Sequence, residues 1–341
     1  MERKGRHPQI LVSMPGLDYR YPADSADEPF HVASIGKMFT AVLVGMLVEK
    51  GVVSLEDKVA VYLPQETLRG LFVYKGEDYA QQITIRQLLG HTSGAADYFE
   101  DRVRSGLPFL KDVIQNPDTR WTPEMLLDFT RTRQRAAGAP GTFHYSDTGY
   151  ILLGLMIEQV ADKAFHTCLH ENIFTPLGMD PSYLMFYSDP RTPLQKPMRS
   201  IWLGDTEITR FQSLSCDWAG GGIVSTPHDL YHFQRALHGG RLVSERFLQE
   251  MQVFTHRFRA GIHYGLGMME IRFEEFFFLL RGLPRLKGHI GILSTHLFHD
   301  AESDAHIIMN FGNTNAMTAS FQVLSQMMRA LSALKPGFSP S

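Results

Sequence analysis

Ser34-Ile35-Gly36-Lys37 sets a hydroxyl and an amine three residues apart at the head of a long apolar segment. On a helix, that spacing puts both side chains on one face. An amine kept partly neutral by burial can hold or take the serine proton, which makes the hydroxyl a nucleophile for acyl transfer. The start of a helix adds free N–H groups that favour a developing anion. Ser-x-x-Lys recurs by chance, however, and alone it reads better as a capping serine beside a solvated lysine.

Two further segments carry chemistry of a matching kind. The run Pro140-Gly141-Thr142-Phe143-His144-Tyr145-Ser146-Asp147-Thr148-Gly149-Tyr150 passes from a loop into a helix. It sets Tyr145 just before that helix, where a phenol can face a cleft. Gly288-His289-Ile290-Gly291 lies on or beside a strand, where glycine lets another backbone or a substrate approach closely. Taken singly, Tyr145 reads as a loop anchor and His289 as an ordinary strand-end histidine.

Periodicity gives the elements that must position these groups. Residues 9–14 read as a strand, Pro15-Gly16-Leu17-Asp18 as a turn, and Tyr19–Tyr21 as the start of a partner strand. Ser34 to Gly51 is a helix with apolar residues on nearly every side, so it is central and buried. From Ser54 to about Ser225, long loops separate helices at Ile85–Leu89, Pro123–Arg131 and Thr148–Ala161; another helix spans Pro227–Leu237. Strands follow at His263–Met269, Ile271–Leu280, Leu286–Ile290, Leu293–His299 and His306–Phe311, with a turn at Asp300–Asp304 and a closing helix at Ala319–Leu334. Consecutive strands joined by short turns pair antiparallel. The fold class is therefore α/β of the α+β kind: a mainly antiparallel sheet flanked by helices, built from residues 1–55 and 226–341. Residues 56–225 form a mostly helical second lobe, with the active site between the two.

Two more segments stand in the same order along the chain: Leu88-Leu89-Gly90-His91-Thr92-Ser93-Gly94, and Gly220-Gly221-Gly222-Ile223-Val224-Ser225-Thr226-Pro227-His228-Asp229-Leu230. With the three above, they resemble the serine β-lactamase and penicillin-binding-protein superfamily. The nearest pattern is the branch of class C β-lactamases, D-aminopeptidases and related esterases, whose second motif is Tyr-x-Asn. The resemblance covers nearly the whole chain and implies a β-lactamase/transpeptidase-like fold. It also implies a serine hydrolase that forms an acyl-enzyme at Ser34, with Lys37 and Tyr145 moving the proton. The backbone N–H groups of Ser34 and Ile292 would form the oxyanion hole, and Asp147, His289 and Gly291 would border the substrate.

Two positions depart from that pattern. Asp147 stands for the asparagine of Tyr-x-Asn, removing an amide donor and adding a negative charge near Lys37. The expectation is that Lys37 stays charged and lowers the pKa of Tyr145, leaving Tyr145 as the working base. His289 stands where many relatives have lysine, so a substrate carboxylate should be held less firmly. An ester, small amide or peptide therefore ranks above efficient β-lactam hydrolysis. The alternative is a catalytically silent, penicillin-binding-like sensor or binding module.

Other classes fit poorly. The net charge is −3, and the strongest basic stretches are Met1–Arg6 and scattered arginines, so no nucleic acid partner is expected. No apolar run has the length of a signal h-region or a membrane span, so the expected compartment is the cytoplasm, with no membrane association. Cys168 and Cys216 read as buried free thiols. His228/His232 and His166/His170 are helical pairs without His-Glu-x-x-His or a third ligand, so no metal and no cofactor is expected. No Gly-x-Ser-x-Gly elbow is present, and His91 and Ser93 read as loop-fixing groups. Phe276-Phe277-Phe278 reads as buried strand, and the loops around Tyr98–Leu110 and Tyr183–Gln212 as cleft linings. Oligomeric state is not legible.

Overall fold

In the computed structural model, residues 7–333 are described. The basic stretch Met1–Arg6 and the final residue of the expected closing helix, Leu334, lie outside the described residues.

Eight antiparallel strands form the main sheet. They are β1 (Gln9–Met14), β2 (Leu17–Tyr21), β3 (His256–Arg259), β4 (Ile262–Tyr264), β5 (Met269–Ile271), β6 (Leu286–Gly291), β7 (Thr295–Asp300) and β8 (Ala305–Asn310). Their spatial order is β3-β4-β5-β6-β7-β8-β1-β2. The two ends of the chain meet where β1 pairs with β8, Gln9 opposite Asn310 and Val12 opposite Ile307. Successive side chains point to opposite faces, and the core divides accordingly. Leu11, Leu297 and Ile308 pack toward the helical part of the molecule. Val12, Phe298, Ile307 and Met309 pack on the other face, against Leu324 and Met328 of the closing helix (Met317–Ala333).

Helix α1 (Gly36–Glu49) is buried over every residue from Gly36 to Gly45. It lies chiefly against α2 (Asp147–Ala161) and the short helix α3 (Trp218–Gly221). Such a helix has no polar face to give to solvent, which is why its sequence is apolar all round. Helix α4 (Pro227–His238) packs on β8 and β1. A small sheet of Phe30–His31, Ile223–Ser225 and Tyr183–Leu184 ties the segment before Ser34 to the helical part. No described helix is long and apolar enough to cross a membrane.

Two expected elements are corrected: the strand expected over His263–Met269 is instead the end of β4 (Ile262–Tyr264) and the start of β5 (Met269–Ile271), with a turn between. The strand expected over Ile271–Leu280 ends at Ile271, and two 3-10 turns follow, Phe273–Glu275 and Phe278–Leu280. Phe277 and Phe278 are 51% and 65% exposed rather than buried. A strand buries consecutive aromatics only when both faces are covered; here Phe276 meets Phe321 of the closing helix while its neighbours face outward.

Candidate active site

The chain reaches α1 through a tight 3-10 turn, Ala33–Ile35, with Ala33 at φ +52°. That conformation is costly for a residue with a Cβ and is held only by tight surroundings. It presents Ser34 at the wall of a cavity of about 480 Å³. Lys37, one turn on, is fully buried. Its Nζ donates to Ser34 Oγ at 3.3 Å, to the carbonyl of Gly220 at 2.9 Å and to Asp147 Oδ1. All three ammonium donors are thereby used. Gly220 makes this possible: a Cβ there would lie 2.6 Å from Asp147 Oδ1.

Tyr145 arrives on the loop that leads into α2 and lines the same cavity as Ser34. Lys37 Nζ lies 5.2 Å from the centre of its ring. The opposite support is His91, whose ring centre is 4.1 Å from that of Tyr145. His91 is buried and takes the Ser146 N–H on Nδ1 at 3.1 Å, fixing the loop. Burial, and then the negative charge of Asp147, push the Tyr145 phenol well above its ordinary value. The expected low-pKa tyrosine is thus corrected. Asp147 sits against the lysine, and burial outweighs the help a cation gives to phenolate.

Asp147 opens α2 and is buried. Burial raises its carboxyl, and Lys37 pulls it back. Gly291, at the end of β6, closes the other side. A Cβ there would lie 2.7 Å from the Ala33 Cβ and 2.8 Å from the Val32 carbonyl, so only glycine lets this strand end meet the serine turn. Gly291 and Ile292 line the same cavity as Ser34, Tyr145 and Asp147.

His289 is placed elsewhere. It is fully buried and absent from the cavity wall. Its Nδ1–H donates to the Ile290 carbonyl at 2.7 Å, and its Nε2 accepts from the Tyr264 hydroxyl at 3.1 Å. Burial and then Lys37 lower it to about 3, so it is neutral rather than partly charged at neutral pH.

Sequence reasoning missed two carboxyls of the cavity wall, Asp97 and Asp217. Asp97 accepts the N–H of Asp147 at 2.9 Å and that of Glu100 at 3.0 Å. Burial and then Asp147 raise it to about 8. Asp217 is raised to about 7 by the same two causes and lies 3.5 Å from His31 Nε2. Their only sequence signal is adjacency to glycine-rich segments at Gly94 and Gly220. The facing wall is apolar: Ile262, Met269, Phe276, Ile290, Met317 and Phe321. Of the two expected cleft loops, the first contributes Phe99 and Glu100, while no residue of 183–212 lines the cavity. Cys168 and Cys216 are buried free thiols.

A model of the family described as Beta-lactamase matches residues 20–324. Penicillin-binding protein 4* of Bacillus subtilis (strain 168) is 32% identical over 261 residues, covering 70% of this chain and 51% of that protein. A D-aminopeptidase of Brucella anthropi is 28% identical over 269 residues, covering 77% of this chain and 45% of that protein. The chain spans about half the length of the curated relatives it matches. A solved D-stereospecific amidohydrolase from Streptomyces sp. superposes with a TM-score of 0.75 at 25% identity, covering 91% of this chain and 90% of that one. The D-amino acid amidase of Ochrobactrum anthropi SV3 gives 0.78 at 23% identity, covering 97% and 94%, a likeness of fold.

Proposed function

The chain belongs to the Beta-lactamase family, and from that premise we propose that it is a serine hydrolase that forms an acyl-enzyme at Ser34. Its substrates are small amides, peptides or esters that carry an amine near the scissile bond. The observation that carries the reading is Lys37 Nζ, fully buried and bonded at once to Ser34 Oγ, Asp147 and the Gly220 carbonyl.

In this reading Lys37 and Asp147 share one proton. When it sits on Asp147, the lysine amine is free to take the Ser34 proton as Oγ attacks the carbonyl carbon. Tyr145, protonated at rest, gives its phenolic proton to the leaving nitrogen or oxygen. The C–N or C–O bond breaks and the acyl-enzyme remains. Water then attacks, giving a proton to the Tyr145 phenolate. Lys37 returns its proton to Ser34 Oγ as the acid departs. The backbone N–H groups of Ser34 and Ile292 stabilise the oxyanion; removing one such donor costs about 10²–10³ in turnover.

The substrate class follows from charge. Asp97, Glu100, Asp147 and Asp217 face the cavity, and no lysine replaces the neutral, buried His289. Arg259, also on the wall, lies 3.7 Å from Glu100. A carboxylate on the substrate would meet carboxylates here, whereas an ammonium would draw the protons off Asp97 and Asp217 and pair with them. That polarity disfavours β-lactams, and it agrees with the D-aminopeptidase and D-stereospecific amidohydrolase among the relatives.

A panel of D- and L-amino acid amides, their N-acetyl forms, p-nitrophenyl esters and a chromogenic cephalosporin tests this. Amides with a free amine should be cleaved with kcat/KM at least about 10²-fold above their N-acetyl forms, the scale of a lost charged contact. Equal rates, or a preference for the cephalosporin, would defeat the amine assignment.

A further inference from the structure

Of the histidine pairs spaced four apart on helices, His228 and His232 bring their Nε2 atoms within 3.1 Å of each other, but among the described residues no third metal-ligating group joins that pair or His166/His170. His299 and His306 stand directly opposite each other on β7 and β8, with ring centres 4.7 Å apart. They are 7% and 4% exposed. The turn between these strands carries Asp304 at φ +52°. That backbone folds the carboxylate back over the pair. Asp304 Oδ1 lies 3.0 Å from His299 Nε2 and 3.6 Å from His306 Nε2. One donor atom from each of the three residues lies within 4.8 Å of the others.

We propose that His299, Asp304 and His306 form a binding site for a divalent zinc-type ion that clasps the β7–β8 hairpin. Zinc takes imidazole nitrogen and carboxylate oxygen at about 2.0–2.2 Å, so tetrahedral donors stand about 3.3 Å apart. Two of the separations, 3.0 and 3.6 Å, bracket that value. The donor set of two imidazoles and one carboxylate suits zinc, cobalt or nickel better than magnesium or calcium. Asp304 is 69% exposed in its side chain, so an ion has a path in and water can complete the shell.

The surroundings are those of a held ligand. His306 Nδ1–H donates to Gln234 Oε1 of α4 at 3.0 Å, which turns the Nε2 lone pair toward the carboxylate. Two acceptors then face each other, an arrangement that a cation between them relieves. Nδ1 of His299 and Nε2 of the neighbouring His238 are buried with no hydrogen-bond partner among the described residues. The rings of His238 and His299 are 4.1 Å apart, centre to centre. The site lies far from the chemistry. Thr295, whose hydroxyl reaches the Val32 carbonyl beside the serine turn, is separated from His299 by about 13 Å along β7. The ion is therefore structural and takes no part in acyl transfer.

The test uses the full chain stripped with EDTA and titrated with ZnCl₂ by calorimetry and with CoCl₂ by visible absorption. One equivalent should bind, cobalt should give the intense bands of a tetrahedral site, and zinc should raise the melting temperature. Asp304→Asn keeps the turn, since asparagine tolerates positive φ; it should leave the metal-free melting temperature unchanged and weaken zinc at least about 10-fold. His306→Gln should weaken it further. His228→Ala should change nothing. No stoichiometric binding at tens of micromolar zinc, binding that survives both Asp304→Asn and His306→Gln, or binding that disappears with His228→Ala would overturn the proposal.

Discussion

The two walls of the cavity solve opposite problems. The wall from the helical part carries Asp97, Asp147 and Asp217, all desolvated and raised in pKa, around Lys37, the single buried cation among the described residues. The wall from the sheet and closing helix is apolar, with Ile262, Met269 and Ile290 drawn from three neighbouring strands. Buried charge costs free energy unless it is paired, whereas buried apolar surface contributes to stability. In the proposed reading the first wall is kept for chemistry at a cost, and the second supplies stability and a dry surface for the substrate's apolar part.

The sharpest way to break this contrast is to unpair the first wall. Lys37→Met leaves Asp147 buried without its cation, which should cost about 3–5 kcal/mol of stability and remove turnover. Adding Asp147→Asn should recover most of the stability and none of the activity. Urea unfolding of the single and double variants measures the coupling. Simple additivity would mean that the ion pair is not what holds this wall.

A smaller effect reads the same wall through pH. Asp97 has a folded pKa of about 8 against an ordinary value of 3.8, so the native state holds a proton that the unfolded chain releases. Its contribution is fully present below about pH 4 and is lost as pH rises through 8. Asp97→Asn does not titrate. The melting temperature of the variant minus that of the native protein should therefore climb from pH 5 and level off above about pH 8. A difference independent of pH would show that Asp97 is ionised throughout.

The apolar wall should be the more forgiving. Phe321→Ala, at a half-buried position, should raise KM several-fold for substrates with a bulky apolar side chain and leave kcat nearly unchanged, since uniform binding is lost. A fall in kcat as large as that from the acidic wall would erase the distinction between the two.

The same contrast shows what the sequence could tell. Ser34 and Lys37 are legible because a single helical turn joins them, and Tyr145 because its loop leads into an evident helix. Gly291 was legible through its place at a strand end. Asp97 and Asp217 were not, because what makes them part of the site is burial beside Asp147. A carboxylate's desolvation has no local pattern. His289 was misread in its charge because burial, not residue type, sets its protonation. Strand β3, His256–Arg259, was missed since its polar alternation looks like loop. The hairpin histidines 299 and 306 are seven apart, a spacing that means nothing until the strand register pairs them.

The central claim is that Ser34 is the nucleophile and that Lys37 makes it one. Intact-protein mass spectrometry after a fluorophosphonate, with peptide mapping, tests it directly. One adduct is expected, on Ser34, formed at least about 10²-fold more slowly in Lys37→Met. None is expected in Ser34→Ala. Labelling of another residue, or unchanged labelling of Ser34 in Lys37→Met, would contradict it.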